Sequence, residues 1–128
     1  MALTFHTFKY LEKLKNNNLD FGETLTIGRL NNLLKKEDYK QLDIDVSQDI
    51  YADNILKNYF NLSSLNALDY SSFEKADIIH DLNLPLQNKD LFGKYDLVTD
   101  IGNNEHPFNI VEAYRTMHNL CKNSGYMM

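Results

Sequence analysis

Short apolar runs that end beside a glycine or an aspartate alternate with helical patterns along most of this chain. The predicted strands cover residues 24–27, 65–69, 76–81 and 95–101. When strands and helices alternate in this way, helices cover both faces of a mainly parallel sheet. We therefore predict an α/β fold, a Rossmann-like three-layer sandwich with a mainly parallel sheet.

Helices are predicted where apolar residues recur every three or four positions. They cover residues 3–15, 50–60 and 109–122, with a short additional helix on Leu30, Leu33 and Leu34. Asn109 is a favourable N-cap, and Glu112 completes a capping-box pattern. Residues 35–49 are polar and acidic, which favours a connecting segment, and the run 123–125 is expected to end the last helix.

Composition disfavours several classes of protein. The 128 residues suffice for one domain, which we divide into an N-terminal helical segment, 1–21, and a main part, 22–128. A formal charge of -5 disfavours an electrostatic nucleic-acid binder. No apolar run is long enough to cross a membrane, and the N-terminus lacks the pattern of a secretory signal. The single cysteine, Cys121, is expected on the apolar face of the last helix and fits a cytoplasmic protein.

In open α/β sheets the ligand lies at the carboxyl ends of the strands, so the residues there are the candidates for a site. Four such segments occur in order: Thr24-Leu25-Thr26-Ile27-Gly28-Arg29, Leu68-Asp69-Tyr70-Ser71, the run ADIIHDLNLP over 76–85, and the run YDLVTDIGNNEH over 95–106. Together they resemble the class I S-adenosylmethionine-dependent methyltransferases, in a divergent branch. The resemblance covers residues 22–128, which we interpret as a partial methyltransferase-like domain.

The resemblance implies that the first two segments hold the sugar and methionine parts of S-adenosylmethionine. Gly28 is expected where the backbone approaches the methionine part, and Arg29 within reach of its carboxylate. Asp69, with Tyr70 beside it, matches the acid that accepts hydrogen bonds from the ribose hydroxyls. Without a cofactor, Gly28 would be an ordinary turn, Arg29 a surface residue and Asp69 a cap on the following turn.

The other two segments are expected at the adenine ring and at the reacting centre. By resemblance, Asp81, Leu82 and Asn83 form the loop that contacts adenine. Asp100 and Gly102 match the end of the fourth strand, close to the sulfonium and the methyl acceptor. The helix 109–122 and residues 125–128 look like the fourth crossover helix and the start of the fifth strand. The alternatives are that Asp81 is a solvated loop acid and that Asp100 binds buried backbone amides.

Glu105 and His106 are the candidate catalytic pair. Histidine titrates near neutrality, so His106 is suited to take a proton from a hydroxyl or amine acceptor. The alternative, which we favour, is that His106 and Pro107 form a turn before the last helix, with Glu105 in solvent. A metal site on His80, Asp81, Glu105 and His106 fits by residue type alone, but the spacing matches no standard ligand pattern, so no metal is predicted.

The predicted function is methyl transfer from S-adenosylmethionine to a small molecule or a sugar, by this chain or by a longer protein of which it is the cofactor-binding part. The alternative is a non-catalytic remnant or interaction module, because Gly28 alone represents the family's glycine-rich turn. We also expect a fragment, with a sheet that is incomplete after the fourth or fifth strand and whose open edge would pair with another copy. A dinucleotide or nucleotide-sugar enzyme is disfavoured, since the chain lacks Gly-x-Gly-x-x-Gly.

Overall fold

The computed structural model describes all 128 residues as an α/β structure. Its strands are β1 (Ala2–Leu3), β2 (Glu23–Ile27), β3 (Asn31–Asn32), β4 (Ser64–Asp69), β5 (Ile78–Ile79), β6 (Tyr95–Asp100) and β7 (Cys121–Met127). Its helices are α1 (Phe5–Asn16), α2 (Lys36–Leu42), α3 (Asp53–Phe60) and α4 (Ile110–Leu120), and a 3-10 turn covers Lys89–Leu91.

Five strands form one parallel sheet in the order β5-β4-β2-β6-β7. The chain begins this sheet at its centre with β2, moves outward through β4 to β5, and then returns to add β6 and β7 on the other side. The order therefore reverses between β2 and β6, which is the switch point of a doubly wound fold. The predicted α/β class is confirmed, as a Rossmann-like sandwich with five strands.

Two apolar clusters lie on opposite faces of this sheet. The first cluster joins α1 and α3 to the sheet through Phe8, Phe60 and Leu97. The second joins α4 to the sheet through Val98 and Met117. Because both faces are covered, the central strands bury side chains on both sides, as parallel strands usually do, and the buried set includes the polar Thr24, Thr26 and Thr99.

Two of the helices begin at side-chain caps. Thr4 Oγ1 accepts a hydrogen bond from the Thr7 amide at 3.3 Å and starts α1. Asn109 Oδ1 accepts from the Glu112 amide at 3.2 Å and starts α4, so the predicted N-cap of the last helix is confirmed.

The short helix predicted on Leu30, Leu33 and Leu34 is wrong. The chain is extended there, because its amides bind the N-terminal segment instead of one another. The Asn31 amide donates to the Met1 carbonyl, and the Leu33 amide to the Leu3 carbonyl, both at 3.1 Å. These bonds pair β1 with β3 in a small parallel sheet. The N-terminal segment is therefore held to the rest of the chain by backbone bonds as well as by the packing of α1.

The connecting segment predicted over residues 35–49 is wrong in its first half, which contains α2. The helix forms because Tyr39 and Leu42 bury their side chains in the first apolar cluster. Asp38 Oδ2 also accepts from the Lys35 amide at 2.8 Å and stabilises the first turn. Asp43 then ends the helix in the left-handed conformation, with φ 54°.

The predicted end of the last helix is also wrong. The helix stops at Leu120, and residues 121–127 form β7, so Cys121 lies in a strand and not on a helix face. Gly125 permits this pairing, since a Cβ there would lie 2.8 Å from the Asp96 carbonyl oxygen of β6. The strand predicted over 76–81 is shorter than expected and covers only Ile78 and Ile79. None of the helices is both long and apolar enough to cross a membrane.

Candidate functional site

The carboxyl ends of β4 and β5 and the loop after β6 surround a cavity of about 200 Å³. The predicted site residues on its wall are Asp69, Tyr70, Asp81, Leu82, Asn83 and His106. They come from three separate segments, which the parallel sheet brings to one edge. The predicted residues that do not line this cavity are Gly28, Arg29, Asp100, Gly102 and Glu105.

Asp69 ends β4 with half of its carboxylate free. Its Oδ1 accepts a hydrogen bond from the Tyr70 amide at 2.6 Å, while its Oδ2 has no donor within the chain. The Asp69 carbonyl accepts from the His80 amide at 2.9 Å, which fixes the end of β4 against β5. One partly buried carboxylate oxygen therefore remains available to a ligand, and hydroxyl donors pair well with such an ionised acceptor.

Asp81 and Asn83 build one wall of the cavity through a chain of hydrogen bonds. Asp81 Oδ1 accepts from the Asn83 amide at 2.9 Å and from Asn83 Nδ2 at 2.8 Å. These donors hold the pKa of Asp81 below its ordinary value, because they stabilise the ionised form. Asn83 Oδ1 accepts in turn from the Asn109 amide at 2.8 Å. The wall is thereby joined to the start of α4, while Asp81 Oδ2 has no donor within the chain.

The cavity also has apolar surface. Leu82 is only 6% exposed and packs into the second apolar cluster. Tyr70 stands at the rim with 71% of its surface exposed. A buried aliphatic side chain, an exposed aromatic ring and two carboxylates form the mixed lining that small-molecule sites have.

The loop after β6 places His106, but not Glu105, on the cavity wall. The His106 amide donates to the Asn103 carbonyl at 3.0 Å and closes a turn before α4. Both side chains are exposed to solvent. This geometry is the turn that we favoured from the sequence, with the imidazole at the edge of the cavity.

Gly28 lies at the switch point, where the N-terminus covers it. Its φ of 74° is unfavourable for other residues, and a Cβ there would lie 1.6 Å from Met1 Cε. The same Cβ position is 3.8 Å from Asp69 Oδ2, so Gly28 neighbours the free carboxylate. The Met1 side chain therefore fills the space beside Gly28 where the resemblance puts the methionine part of the cofactor.

Arg29 is bound to another part of the chain. Its Nε and Nη2 donate to the Asp53 carboxylate, with an Nη2–Oδ2 distance of 2.6 Å. Its Nη1 donates to the carbonyls of Glu74 and Lys75, and its guanidinium lies over the Tyr51 ring. The bond to Asp53 raises the pKa of Arg29. With its donors used in this way, Arg29 holds the loop after β2 against α3.

Asp100 organises the loop that follows β6. Its Oδ1 accepts from the Asn103 amide at 2.8 Å, and its Oδ2 from the Asn104 amide at 3.1 Å. Gly102 lies between them with φ 83°, which favours glycine. Both carboxylate oxygens of Asp100 therefore have backbone partners, as in the alternative interpretation that we gave for this residue.

Sequence reasoning missed four residues at this edge of the sheet. His80, Asn103 and Pro107 line the cavity, and Met1 covers Gly28. We considered His80 only as a metal ligand, and no group of three or more His, Cys, Asp or Glu side chains could hold a metal. The position of His80 at the end of an apolar run could have identified it, whereas nothing local indicates where Met1 lies.

The chain matches no known protein family, no curated protein and no solved structure. Function therefore has to be inferred from the residues and their geometry, and the resemblance in the sequence stays a prediction.

Proposed function

We propose that this chain binds S-adenosylmethionine at the carboxyl edge of its sheet and transfers the methyl group to a small molecule or a sugar. The observation that supports this most is the gathering of Asp69, Asp81 and His106 around one cavity. These residues come from the end of β4 and from the loops after β5 and β6, and each has the side-chain type that its part of this chemistry requires.

The residues on the wall fit the adenosine end of the cofactor. The free Oδ2 of Asp69 suits the two ribose hydroxyls, and Leu82 offers an apolar surface to adenine. The cavity of about 200 Å³ is smaller than ordinary cofactor sites, so it would hold only this end. The methionine end would extend toward Gly28 and displace the Met1 side chain.

His106 is the residue placed to assist the acceptor. The cofactor supplies an activated methyl group on a sulfonium, so the chain has to hold the acceptor in line and remove its proton. The imidazole is exposed at the rim of the cavity, and its ring nitrogen is the base that would accept that proton. Glu105 does not line the cavity and is left in solvent.

Isothermal titration calorimetry with S-adenosylhomocysteine tests the proposal, with NAD⁺ as the comparison ligand. We expect saturable binding of the first ligand only. Asp69→Asn should weaken binding by about tenfold or more, because a hydrogen bond to a charged acceptor contributes about 1.5–3 kcal/mol. The matched control is Asp90→Asn, which removes one exposed carboxylate away from the cavity. Absence of heat with the unaltered chain, or equal losses in the two variants, would overturn the proposal.

The second candidate function is a non-catalytic interaction module on the same fold. Two observations favour it: Met1 covers Gly28, and β7 pairs with β6 but has no strand on its outer side. An unpaired edge of seven residues can pair with another copy of this chain. Sedimentation velocity separates the candidates, since a monomer that binds S-adenosylhomocysteine contradicts this one.

We also propose a cytoplasmic location. The single cysteine, Cys121, has a free thiol, and burial raises its pKa. The thiol donates to the Tyr126 carbonyl at 3.4 Å and forms no disulfide, which is compatible with a reducing compartment. Fluorescence microscopy of a tagged full chain checks the location.

A further inference from the structure

A second, larger cavity lies beside the candidate site. Its volume is about 580 Å³, within the range of ordinary ligand sites. It opens next to β4 and β5, where the connection to β6 is a loop with one 3-10 turn instead of a helix. His80 lines both cavities, but the proposed cofactor contacts use none of the other residues here.

One cationic side chain on the wall of the second cavity has no anionic partner. Lys94 forms no ion pair within the chain, and its ammonium lies 5.6 Å from the centre of the Tyr95 ring. The Tyr95 hydroxyl donates to Asn66 Oδ1 at 3.2 Å, which leaves the Asn66 amide nitrogen as a further donor in the cavity. Burial raises the pKa of Tyr95 to about 12, so its hydroxyl stays protonated in this bond.

The wall of the same cavity also carries one carboxylate side chain and one imidazole nitrogen without a hydrogen-bond partner. Asp77 Oδ2 accepts from the Ala67 amide at 2.8 Å, and Asp77 Oδ1 has no donor within the chain. His80 Nε2 is buried and has no hydrogen-bond partner. Buried polar atoms are nearly always paired, so an unpaired one on a cavity wall points to a missing partner.

Apolar side chains complete the lining. Ile78, Leu86 and Leu91 lie on the wall with these polar groups. A ligand with only a negative charge would meet Asp77, and one with only a positive charge would meet Lys94. A zwitterion with an apolar body satisfies both charged groups and covers the aliphatic surface.

We propose that the second cavity binds a small zwitterion with an apolar body, of the α-amino acid or dipeptide class. Its carboxylate pairs with Lys94, its ammonium with the free oxygen of Asp77, and its polar end supplies the partner that His80 Nε2 lacks. This site is separate from the proposed methyl transfer and does not require it.

Nuclear magnetic resonance of the four histidines tests this assignment, with the other three as internal controls for His80. The probes are L-phenylalanine, 3-phenylpropanoate and 2-phenylethylamine, which share a ring but differ in charge. We expect L-phenylalanine to shift the His80 ring resonances saturably, and the two singly charged probes to bind at least about tenfold more weakly. No shift of His80, or equal binding of either singly charged probe, overturns the assignment.

Two lysine variants locate the bound carboxylate. Lys94→Gln should weaken L-phenylalanine binding by about tenfold, because it removes the charged partner. Lys89→Gln is the control, since Lys89 is exposed in the same loop and does not line the cavity. Binding of S-adenosylhomocysteine should be equal in both variants, which separates this site from the proposed cofactor site. If the two variants bind L-phenylalanine equally, the assignment is wrong.

Discussion

The two halves of the sheet's carboxyl edge differ in what their polar side chains bind. Around β4 and β5, Asp69 and Asp81 each keep one carboxylate oxygen free beside a cavity. Around β2 and β6, Arg29 is bound to Asp53, and Asp100 binds two backbone amides. The first half is open to a ligand, and the second is held by contacts within the chain.

This difference teaches that a strand-end position alone does not give a residue its role. Asp69 and Asp100 both end parallel strands on either side of β2, yet only Asp69 has an oxygen without a donor. The loop after each strand makes the difference, because the loop after β4 supplies its carboxylate with one amide, whereas the loop after β6 supplies two, one for each oxygen. Substitutions in the closed half should therefore reduce stability, and those in the open half should reduce ligand binding.

The largest effect is expected for Asp53→Asn in the closed half. It leaves the Arg29 guanidinium without its anion, and the two side chains are only 16% and 20% exposed. Loss of one partner of a buried pair costs about 3–5 kcal/mol, so we expect about 2 kcal/mol at this partly exposed site. Urea denaturation measures the loss. Asp49→Asn is the control, since the Asp49 side chain is exposed and accepts one hydrogen bond, from Asn54. Equal denaturation midpoints for the two variants would contradict a stabilising role of the Arg29–Asp53 pair.

A smaller loss of stability is expected for Asp100→Ala. Two backbone amides lose their acceptor, as when a helix cap is removed, which costs about 1–2 kcal/mol. Thermal denaturation measures this loss. Glu105→Ala is the matched control in the same loop, because Glu105 is exposed and should change stability by less than about 0.5 kcal/mol. If Asp100→Ala instead left the melting temperature unchanged and weakened S-adenosylhomocysteine binding, both halves of the edge would be ligand sites.

The open half could be predicted from the sequence because its signals are local. Asp69 and Asp81 each follow an apolar run, and parallel strands bring such ends to one edge whatever the loops do. That inference did not depend on α2, which forms where we expected a connecting segment. It also did not depend on the length of β5, which is shorter than predicted. The same rule placed Asp100 at the edge correctly, but its partners depend on how the next four residues fold.

The closed half could not be predicted because its contacts join distant parts of the chain. Arg29 and Asp53 are 24 positions apart, and α2 lies between them. We did not predict this helix, because residues 35–49 are mostly polar. Met1 reaches Gly28 only because β1 pairs with β3, and two-residue strands leave no periodic signal. The early start of β7 was missed for a related reason, since a strand was expected only from residue 125. Asn123, Ser124 and Gly125 favour a turn, and pairing with β6 overrides that preference.

A tenfold effect on binding is expected for Met1→Ala, prepared from a fusion whose cleavage leaves Ala first. Burying a whole methionine side chain contributes about 1.5–3 kcal/mol, and this one is partly buried, so its displacement by a ligand costs about 1.4 kcal/mol. Removing that cost should strengthen S-adenosylhomocysteine binding about tenfold in calorimetry. Tyr10→Ala shortens an exposed side chain on α1 and is the control. Unchanged affinity in Met1→Ala would mean that the ligand does not reach Gly28.

The smallest effect concerns the acidity of Asp81 in the open half. Asn83→Ala removes the side-chain donor but keeps the backbone one, so the lowered pKa of Asp81 should rise part of the way toward its ordinary value of 3.8. A carboxylate whose pKa is lowered by folding stabilises the fold above its ordinary pKa, and this contribution disappears as the pH falls through the lowered value. In the variant the contribution should be smaller and should disappear at a higher pH.

Carbon resonances of the Asp81 carboxylate, followed by pH titration, measure that rise directly. Asn88→Ala is the control, because Asn88 caps the Asp90 amide in the next loop and makes no bond to Asp81. Equal titration curves in the two variants would show that the Asn83 side chain does not act on Asp81. A bound ligand that donates to the second oxygen of Asp81 should lower the pKa of Asp81 further. A ligand that binds only in the closed half should leave this pKa unchanged. One titration therefore reports which half of the edge is occupied.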